Sequence, residues 1–473
     1  MIYSRAKHIA ALLCCCILLT YSAIAFAEET GMDSVAPAAE QENMELSAAV
    51  ADAAKPEPVD PGMEIEALLR EYNTSGMGAL FQDKMDRGQL FYTIARARVR
   101  VDPSDPNWAN FRNSAFDEAM LNAQAAYMLE QNKSVRAETL KHVKNDPAMP
   151  KFKREELGST SKFGELLDKA IAVAGSKLDS MLEENGLDPN RFKALPKTKQ
   201  KTLLFNAIEK RTYISAYTKL SGMTIVQTFE ACNSAGKHEV AVAVVSSPKF
   251  KSWVTSILTN KGDLPANPRK VGGPTVRELV GHNKAALFQQ FGIRRVYDQD
   301  GYPVLISYGQ SGNPYHGNDY DQRAEQRELA FDRADSNAQA NFAFLLNANG
   351  TYDKKVIDKT ISETIGKVEL QSDGTSSQST SRTNKFLTAM NKKIRAKGSI
   401  SNFPGIHKLT SWTYKHPEYN QEIVGVVYIW SPKTNNLARA LRKNTTVKKK
   451  TPKQASGTAK AVMGQELMDV DDF

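Results

Sequence analysis

The chain has 473 residues, of which 41% are hydrophobic and 24% charged, with a net charge of +9. This balance is ordinary for a soluble globular protein. The length is long for one core and comfortable for two.

The first segment reads as an export signal. Arg5 and Lys7 form a charged start, Ile9 to Phe26 is apolar, and Ala25-Phe-Ala27 is a small-x-small cleavage site before Glu28. The apolar stretch is also at the short end of a spanning helix, so a retained anchor is the competing reading. Cleavage after Ala27 predicts a periplasmic or secreted protein with no transmembrane segment. Cys14, Cys15 and Cys16 leave with the signal, and Leu13 is a poor neighbour for a lipidated cysteine. The mature chain then keeps only Cys232, so a large core rather than disulfides must stabilise it. Residues 28–62 follow, with nine acids against the single Lys55 and many Ala and Pro, which predicts a disordered acidic linker.

From there the sequence reads as two copies of one unit, over 63–275 and 276–440. Ala79-Leu-Phe-Gln82 recurs as Ala286-Leu-Phe-Gln289. A strand follows in each, Gln89 to Val99 and Pro303 to Gly309. The second has a hairpin partner, Ile293 to Tyr297, joined through the turn Asp298-Gln-Asp-Gly301. Next comes the strongest repeat. Ala115-Phe-Asp-Glu-Ala-Met-Leu-Asn-Ala-Gln-Ala125 recurs as Ala330-Phe-Asp-Arg-Ala-Asp-Ser-Asn-Ala-Gln-Ala340, with eight of eleven positions identical. Phe116, Ala119, Ala123 and Tyr127 make one helical face, which Phe331, Ala334, Ala338 and Phe342 repeat. In copy one Asp105 can cap this helix and Pro106 can open it. Asp117 with Gln124, and Asp332 with Gln339, share a flank two turns apart, either as a recognition rim or to satisfy neighbouring backbone.

The middle of each copy is helical: Phe163 to Leu182 and Lys199 to Tyr217, then a face of Ile357, Ile361, Ile365 and Val368, and Phe386 to Ile394. Ser372 to Ser381 reads as a flexible insertion. Two strands close each copy, Thr224 to Glu230 with Val240 to Val245, and His407 to Tyr414 with Ile423 to Trp430. The turns lie at Asn233-Ser-Ala-Gly236 and His416-Pro-Glu-Tyr-Asn420. The last strand of each pair is nearly all apolar, as a strand covered on both faces should be. The predicted fold class is α+β, two tandem copies of a domain with helices packed on a small antiparallel sheet.

The alanine-rich helix, Gly222 and Gly405 before the penultimate strands, and the ending Trp430-Ser-Pro432 resemble a small bacterial envelope domain. It is similar to the N-terminal domain of flagellar assembly protein T and its relatives among outer-membrane lipoproteins, best over about residues 300 to 433. The whole chain also resembles exported bacterial proteins built around a domain of unknown function. The resemblance implies an envelope-associated structural role and brings no catalytic residues with it.

The sequence offers little chemistry. The histidines after the signal, His142, His238, His282, His316, His407 and His416, form no HExxH, and there is no CxxC. Cys232 and His238 bracket a turn as a conceivable nucleophile and base, without an evident orienting group. Ser159-Thr-Ser-Lys162 matches a bare SxxK without its companion motifs. No GxSxG, P-loop or Rossmann pattern is present. Catalytic residues, cofactor and metal are therefore expected to be none. Recognition is expected from the loops before the repeated helices, because loops on a rigid scaffold carry it. These offer Asn107, Trp108 and Phe111 in copy one, and Tyr315, His316 and Tyr320 in copy two, as aromatics beside amides that could stack on a sugar or grip a peptide. The alternative is that they cap helices and anchor into the core.

At the end of the chain, 441–473 is expected to be a disordered tail, basic then acidic. Lys448, Lys449 and Lys450, with Lys443 and Lys453, could contact peptidoglycan or another anionic surface. No aromatics interleave with them, and nucleic acid is not expected. The function these features predict is a non-catalytic exported structural or interaction protein of the cell envelope, with envelope proteins as partners. The alternative is a small-molecule or glycan-binding protein using a cleft between the copies.

Overall fold

Each sequence copy builds its own antiparallel sheet, and each repeated helix lies across one. The computed structural model describes residues 60–173, 175–220, 222–347, 354–364, 376–397 and 403–444. The signal, the linker before residue 60 and the tail beyond 444, including Lys448, Lys449 and Lys450, lie outside the described residues, as do Ile365 and Val368.

In chain order the elements are helices α1 (Pro61–Ser75) and α2 (Met77–Asp86), strand β1 (Phe91–Val99) and helix α3 (Trp108–Leu140). Helices α4 (Thr160–Ala172), α5 (Ser176–Glu184), α6 (Pro189–Lys193) and α7 (Lys197–Lys219) precede β2 (Met223–Cys232), β3 (His238–Ser246) and α8 (Pro248–Thr259). Copy two supplies α9 (Val276–Val280), α10 (Lys284–Phe288), β4 (Gly292–Tyr297), β5 (Pro303–Asn313) and α11 (Tyr320–Asn347). It ends with α12 (Lys354–Thr364), α13 (Ser376–Lys397), β6 (His407–Lys415), β7 (Glu422–Trp430) and α14 (Pro432–Asn444). This is the α+β arrangement that the patterning predicted.

The sheets are ordered β1-β3-β2 and β4-β5-β7-β6, so the last strand of each copy is central, as its apolar run requires. The strand before it carries a register shift at a matching place in each copy, between Ile225 and Gln227 and between Lys408 and Thr410. The preceding glycines also match, with Gly222 at φ +85° and Gly405 at φ +90°, a region that L side chains rarely adopt. The turn Asp298–Gly301 closes the β4–β5 hairpin, with Asp298 Oδ1 accepting the N–H groups of Asp300 and Tyr302.

The faces alternate as the strand period demands. In β3, Val240, Val242 and Val244 join the main core, while Ala241, Ala243 and Val245 face α1 and α2. In β7, Ile423, Val427 and Ile429 join the same main core, and Val424 and Val426 meet Ala330, Ala334 and Ala338 of α11. The copies therefore share one apolar core. Their neighbouring edges are tied by Thr224 Oγ1 to the Ile293 carbonyl (2.9 Å), Thr228 Oγ1 to that of Gln289 (2.9 Å), and Arg294 Nη1 to that of Ile225 (3.1 Å). A second core, including Leu140, Phe163, Leu167, Met181 and Phe205, fills a helical lobe formed by the end of α3 with α4 to α7.

Several boundaries differ from expectation for local reasons. The first described residue, Asp60, accepts the Gly62 N–H with its side chain and caps α1, with Pro61 in the first turn and Ile65 and Leu69 buried. The acidic linker thus stops short of 62. Residues 163–182 are two helices rather than one, broken before Ser176 by Gly175 at φ +120°. The supposed flexible insertion is helical from Ser376, in a helix whose Phe386, Leu387 and Met390 are buried in the core. At the other end, residues 441–444 belong to α14 rather than to the tail. Asp105 does not cap α3; its carboxylate accepts the Asn107 N–H one turn early, and the helix starts at Trp108.

The polar repeat that matters to the fold is Asn122 with Asn337. Each donates its amide to a carbonyl of the strand beneath, Asn122 to Arg96 (3.2 Å) and Asn337 to Gln310 (3.1 Å). Replacing Asn337 by alanine removes one partly buried hydrogen bond and should cost about 1 kcal/mol. Asn122 also accepts from Asn384 Nδ2 (3.1 Å), so equilibrium unfolding in urea should show a larger loss for Asn122→Ala than for Asn337→Ala.

Candidate functional site

The starts of α3 and α11 lie beside the ends of the strand hairpins, and the loops there are stitched across the copies. Asn110 Oδ1 accepts the Gly312 N–H (2.9 Å) and the Ser311 hydroxyl (3.0 Å). Gln421 Nε2 donates to the carbonyls of Pro103 (3.0 Å) and Asp105 (2.9 Å), while its Oε1 lies 3.2 Å from His316 Nε2. One amide side chain thus joins the pre-helix loops of both copies.

Beneath this seam lies a charged cluster that the sequence reading missed. Arg112, one turn before Phe116 on the apolar face of α3, is buried and makes a bidentate pair with Glu230 of β2 (2.5 Å to each oxygen). Its guanidinium also donates to the Phe288 carbonyl (3.1 Å), reaches Gln310 Oε1 (3.4 Å) and lies 3.7 Å from the Phe288 ring centroid. Glu230 lies 2.7 Å from Nε2 of buried His238, whose Nδ1 accepts the Trp108 indole N–H (3.0 Å). An indole can only donate, so the hydrogen of the neutral imidazole sits on Nε2, facing Glu230. A cation on an otherwise apolar helical stripe was the available signal.

Burial pushes the Glu230 carboxyl up, but Arg112 and His238 outweigh it and hold the group down at about 2. His416 stacks on Tyr419 (4.2 Å between centroids), and its Nδ1 accepts the N–H groups of Glu418 and Tyr419 (3.3 Å each). Burial lowers its pKa below the usual histidine value. Both shifts are downward, so both groups contribute stability that is present at high pH and lost on acidification. The His416 share should fade first, below about 6.5, and the Glu230 share as pH falls from about 4.5 through about 2. Melting curves of wild type and Glu230→Gln should therefore converge towards pH 2, and a constant gap would count against this assignment.

The structure places each expected site residue. Trp108 is wholly buried against His238, His416 and Tyr419, so it anchors the core and cannot stack on a ligand. Asn107 is exposed at the start of α3, Phe111 is 38% exposed and Tyr320 is 77% exposed. Tyr315 is half-buried, its hydroxyl accepting the Asp319 N–H (3.0 Å), and His316 is exposed beside Gln421. The flank residues do not form a common rim. Gln124 Oε1 is buried with no hydrogen bond, whereas Gln339 is bonded to Tyr428.

The imagined chemical pairs do not assemble. Cys232 and His238 sit opposite each other on β2 and β3, but the imidazole nitrogens face Trp108 and Glu230. The thiol donates to the Asn233 carbonyl (3.7 Å), and burial pushes its pKa up, away from a reactive thiolate. Ser159 Oγ caps α4 by accepting the Lys162 N–H, while the Lys162 ammonium pairs with Glu165 (3.3 Å). Among the described residues no group of His, Cys, Asp and Glu is placed to hold a metal ion, and no helix is long and apolar enough to cross a membrane.

Two clefts open at the loop end. The larger, about 490 Å³, is walled by Asp102–Ser104 and Cys232–Gly236 of copy one and by Glu418 and Tyr419 of copy two. The other, about 240 Å³, belongs to copy two and includes Tyr315, His316, Arg323, Lys415 and Glu422.

Comparison with known proteins adds a family model and one solved structure. No curated protein matches the sequence significantly. A crystal structure of a hypothetical protein from Francisella tularensis aligns at 19% identity and a TM-score of 0.45, over 80% of this chain and 92% of its own. Residues 163–259, from α4 through the β2–β3 hairpin into α8, match the model of a domain of unknown function, DUF6844.

Proposed function

We propose that this is a non-catalytic interaction protein of the bacterial cell envelope, which binds other envelope proteins through the loop end of its duplicated scaffold. The observation that carries the reading is the gathering there of the pre-helix loops, which the copies do not share in sequence. The repeated residues are spent on packing, whereas Phe111, in the first turn of α3, and Tyr320, at the start of α11, leave aromatic surface exposed. Export and envelope location rest on the sequence of residues 1–27 and on the resemblance to flagellar assembly protein T. Crosslinking in intact cells followed by purification should recover defined partners, and the double variant Phe111→Ala, Tyr320→Ala should lose them. Recovery of the bait alone, or capture indifferent to both aromatics, would overturn the proposal.

The larger cleft favours a second reading, because both copies wall it. A small molecule or glycan seated there should raise the melting temperature in proportion to the logarithm of its concentration above Kd. A flat response to a glycan and metabolite panel would remove this reading.

A further inference from the structure

We propose that the smaller cleft, made by copy two alone, binds a sugar unit that carries a carboxylate. This goes beyond both readings above, since it concerns neither a protein partner nor the cleft shared by the copies. Its lining has three fixed cations, Arg323, Arg327 and Lys415, against one carboxylate, Glu422. That carboxylate is already engaged, one oxygen by Arg327 Nε and the other by Asn313 Nδ2 (3.0 Å). Arg323 and Lys415 therefore remain without a carboxylate partner among the described residues. Arg323 is half-buried and held in place by Nη2 donating to the Gly317 carbonyl (2.7 Å), which leaves further N–H groups for a ligand.

The loop behind these cations is built rather than loose. Asn313 Oδ1 accepts the Tyr315 N–H (3.1 Å), and a Cβ on Gly317 would stand 2.3 Å from the Tyr315 hydroxyl. A guanidinium held by one N–H keeps a planar pair of N–H groups that matches the edge of a carboxylate, and Lys415 in the same lining adds a second positive charge. Phosphate meets the same groups, and competition with glucuronate separates the two. Thr413 and Asn420 line the same cleft and supply neutral hydrogen-bonding groups of the kind that hydroxyls need. The size agrees as well. At about 240 Å³ the cleft falls below the ~300–1,000 Å³ that encloses drug-sized molecules, and is fitted to a single residue-sized unit.

Saturation-transfer NMR on the full chain tests the assignment, with glucuronate and glucose observed directly and inorganic phosphate, which has no observable protons, measured as a competitor of glucuronate. Glucuronate should bind, with glucose and phosphate each about tenfold weaker or worse. The Lys415 side chain is exposed and makes no hydrogen bond or ion pair to described residues, so its replacement should leave the fold intact. Lys415→Gln should weaken glucuronate about tenfold, and Lys415→Arg should retain it. Thr413→Val should weaken the sugar while leaving any binding of acetate unchanged. Equal binding of glucose would remove the carboxylate from the proposal, and equal binding of phosphate would remove the sugar. Glucuronate binding untouched by Lys415→Gln would place it elsewhere. A failed partner search leaves these outcomes unaffected, so the two proposals fall separately.

Discussion

Replacing Arg112 with methionine is expected to destabilise the protein by about 3 kcal/mol, because it leaves the largely buried Glu230 carboxylate without its cation. Breaking a buried pair costs about 3–5 kcal/mol in general. Glu230 keeps 22% of its side chain exposed, which argues for the lower end of that range. The loss is more than a missing contact. Arg112 also donates to the Phe288 carbonyl and packs on its ring, so methionine removes both contacts and leaves that carbonyl only the bond from Gln310 Nε2 (3.0 Å). Glu230→Leu should be similarly harmful, since it strands the guanidinium. The double variant Arg112→Met, Glu230→Leu should recover part of the loss, because two apolar groups need no partner. Urea unfolding of the four proteins measures this as a double-mutant cycle. Simple additivity would show that the pair contributes little.

The second large effect is expected at the contact between α11 and its sheet. A Cβ on Gly309 would stand 2.0 Å from the Ala334 carbonyl oxygen and 2.7 Å from the Ala338 nitrogen. Both obstacles are helix backbone, so no side chain can swing aside. Gly309→Ala should force α11 away from β5 and cost about 3 kcal/mol or more, at the upper end of overpacking effects. Gly425→Ala is the informative comparison, since its new methyl would meet the Trp412 ring at 2.1 Å. A side chain can change rotamer where a helix cannot, so Gly425→Ala should be the milder of the two. Thermal unfolding of both variants ranks them, and the reverse order would show that the helix shifts easily.

These two sites mark how far the sequence could be read. The alanine faces of α3 and α11, the central apolar strands and the turn at Asp298–Gly301 were legible, because each follows from local periodicity or turn chemistry. The helices after the last strand of each copy were also signalled locally, and missed. Ser247 and Ser431 each accept an N–H at the start of a helix, with Pro248 and Pro432 in the first turn. A serine followed by proline is a cap and a first helical residue, so that signal was available. Trp108 was read as a loop aromatic beside the possibility of a core anchor. Only the arrival of His238 from 130 residues away decided between the two.

The sequence by itself determined the unit, its number and its α+β class, because spacing along one chain sets which residues face inward. Only the tertiary structure decided that the copies share a core, that Arg112 meets Glu230 where Phe288 and Gln310 of copy two pack against it, and that the loops before the helices border clefts. Those facts join residues far apart in the chain. Their geometry depends on how two sheets and two helices pack, and no local pattern encodes that.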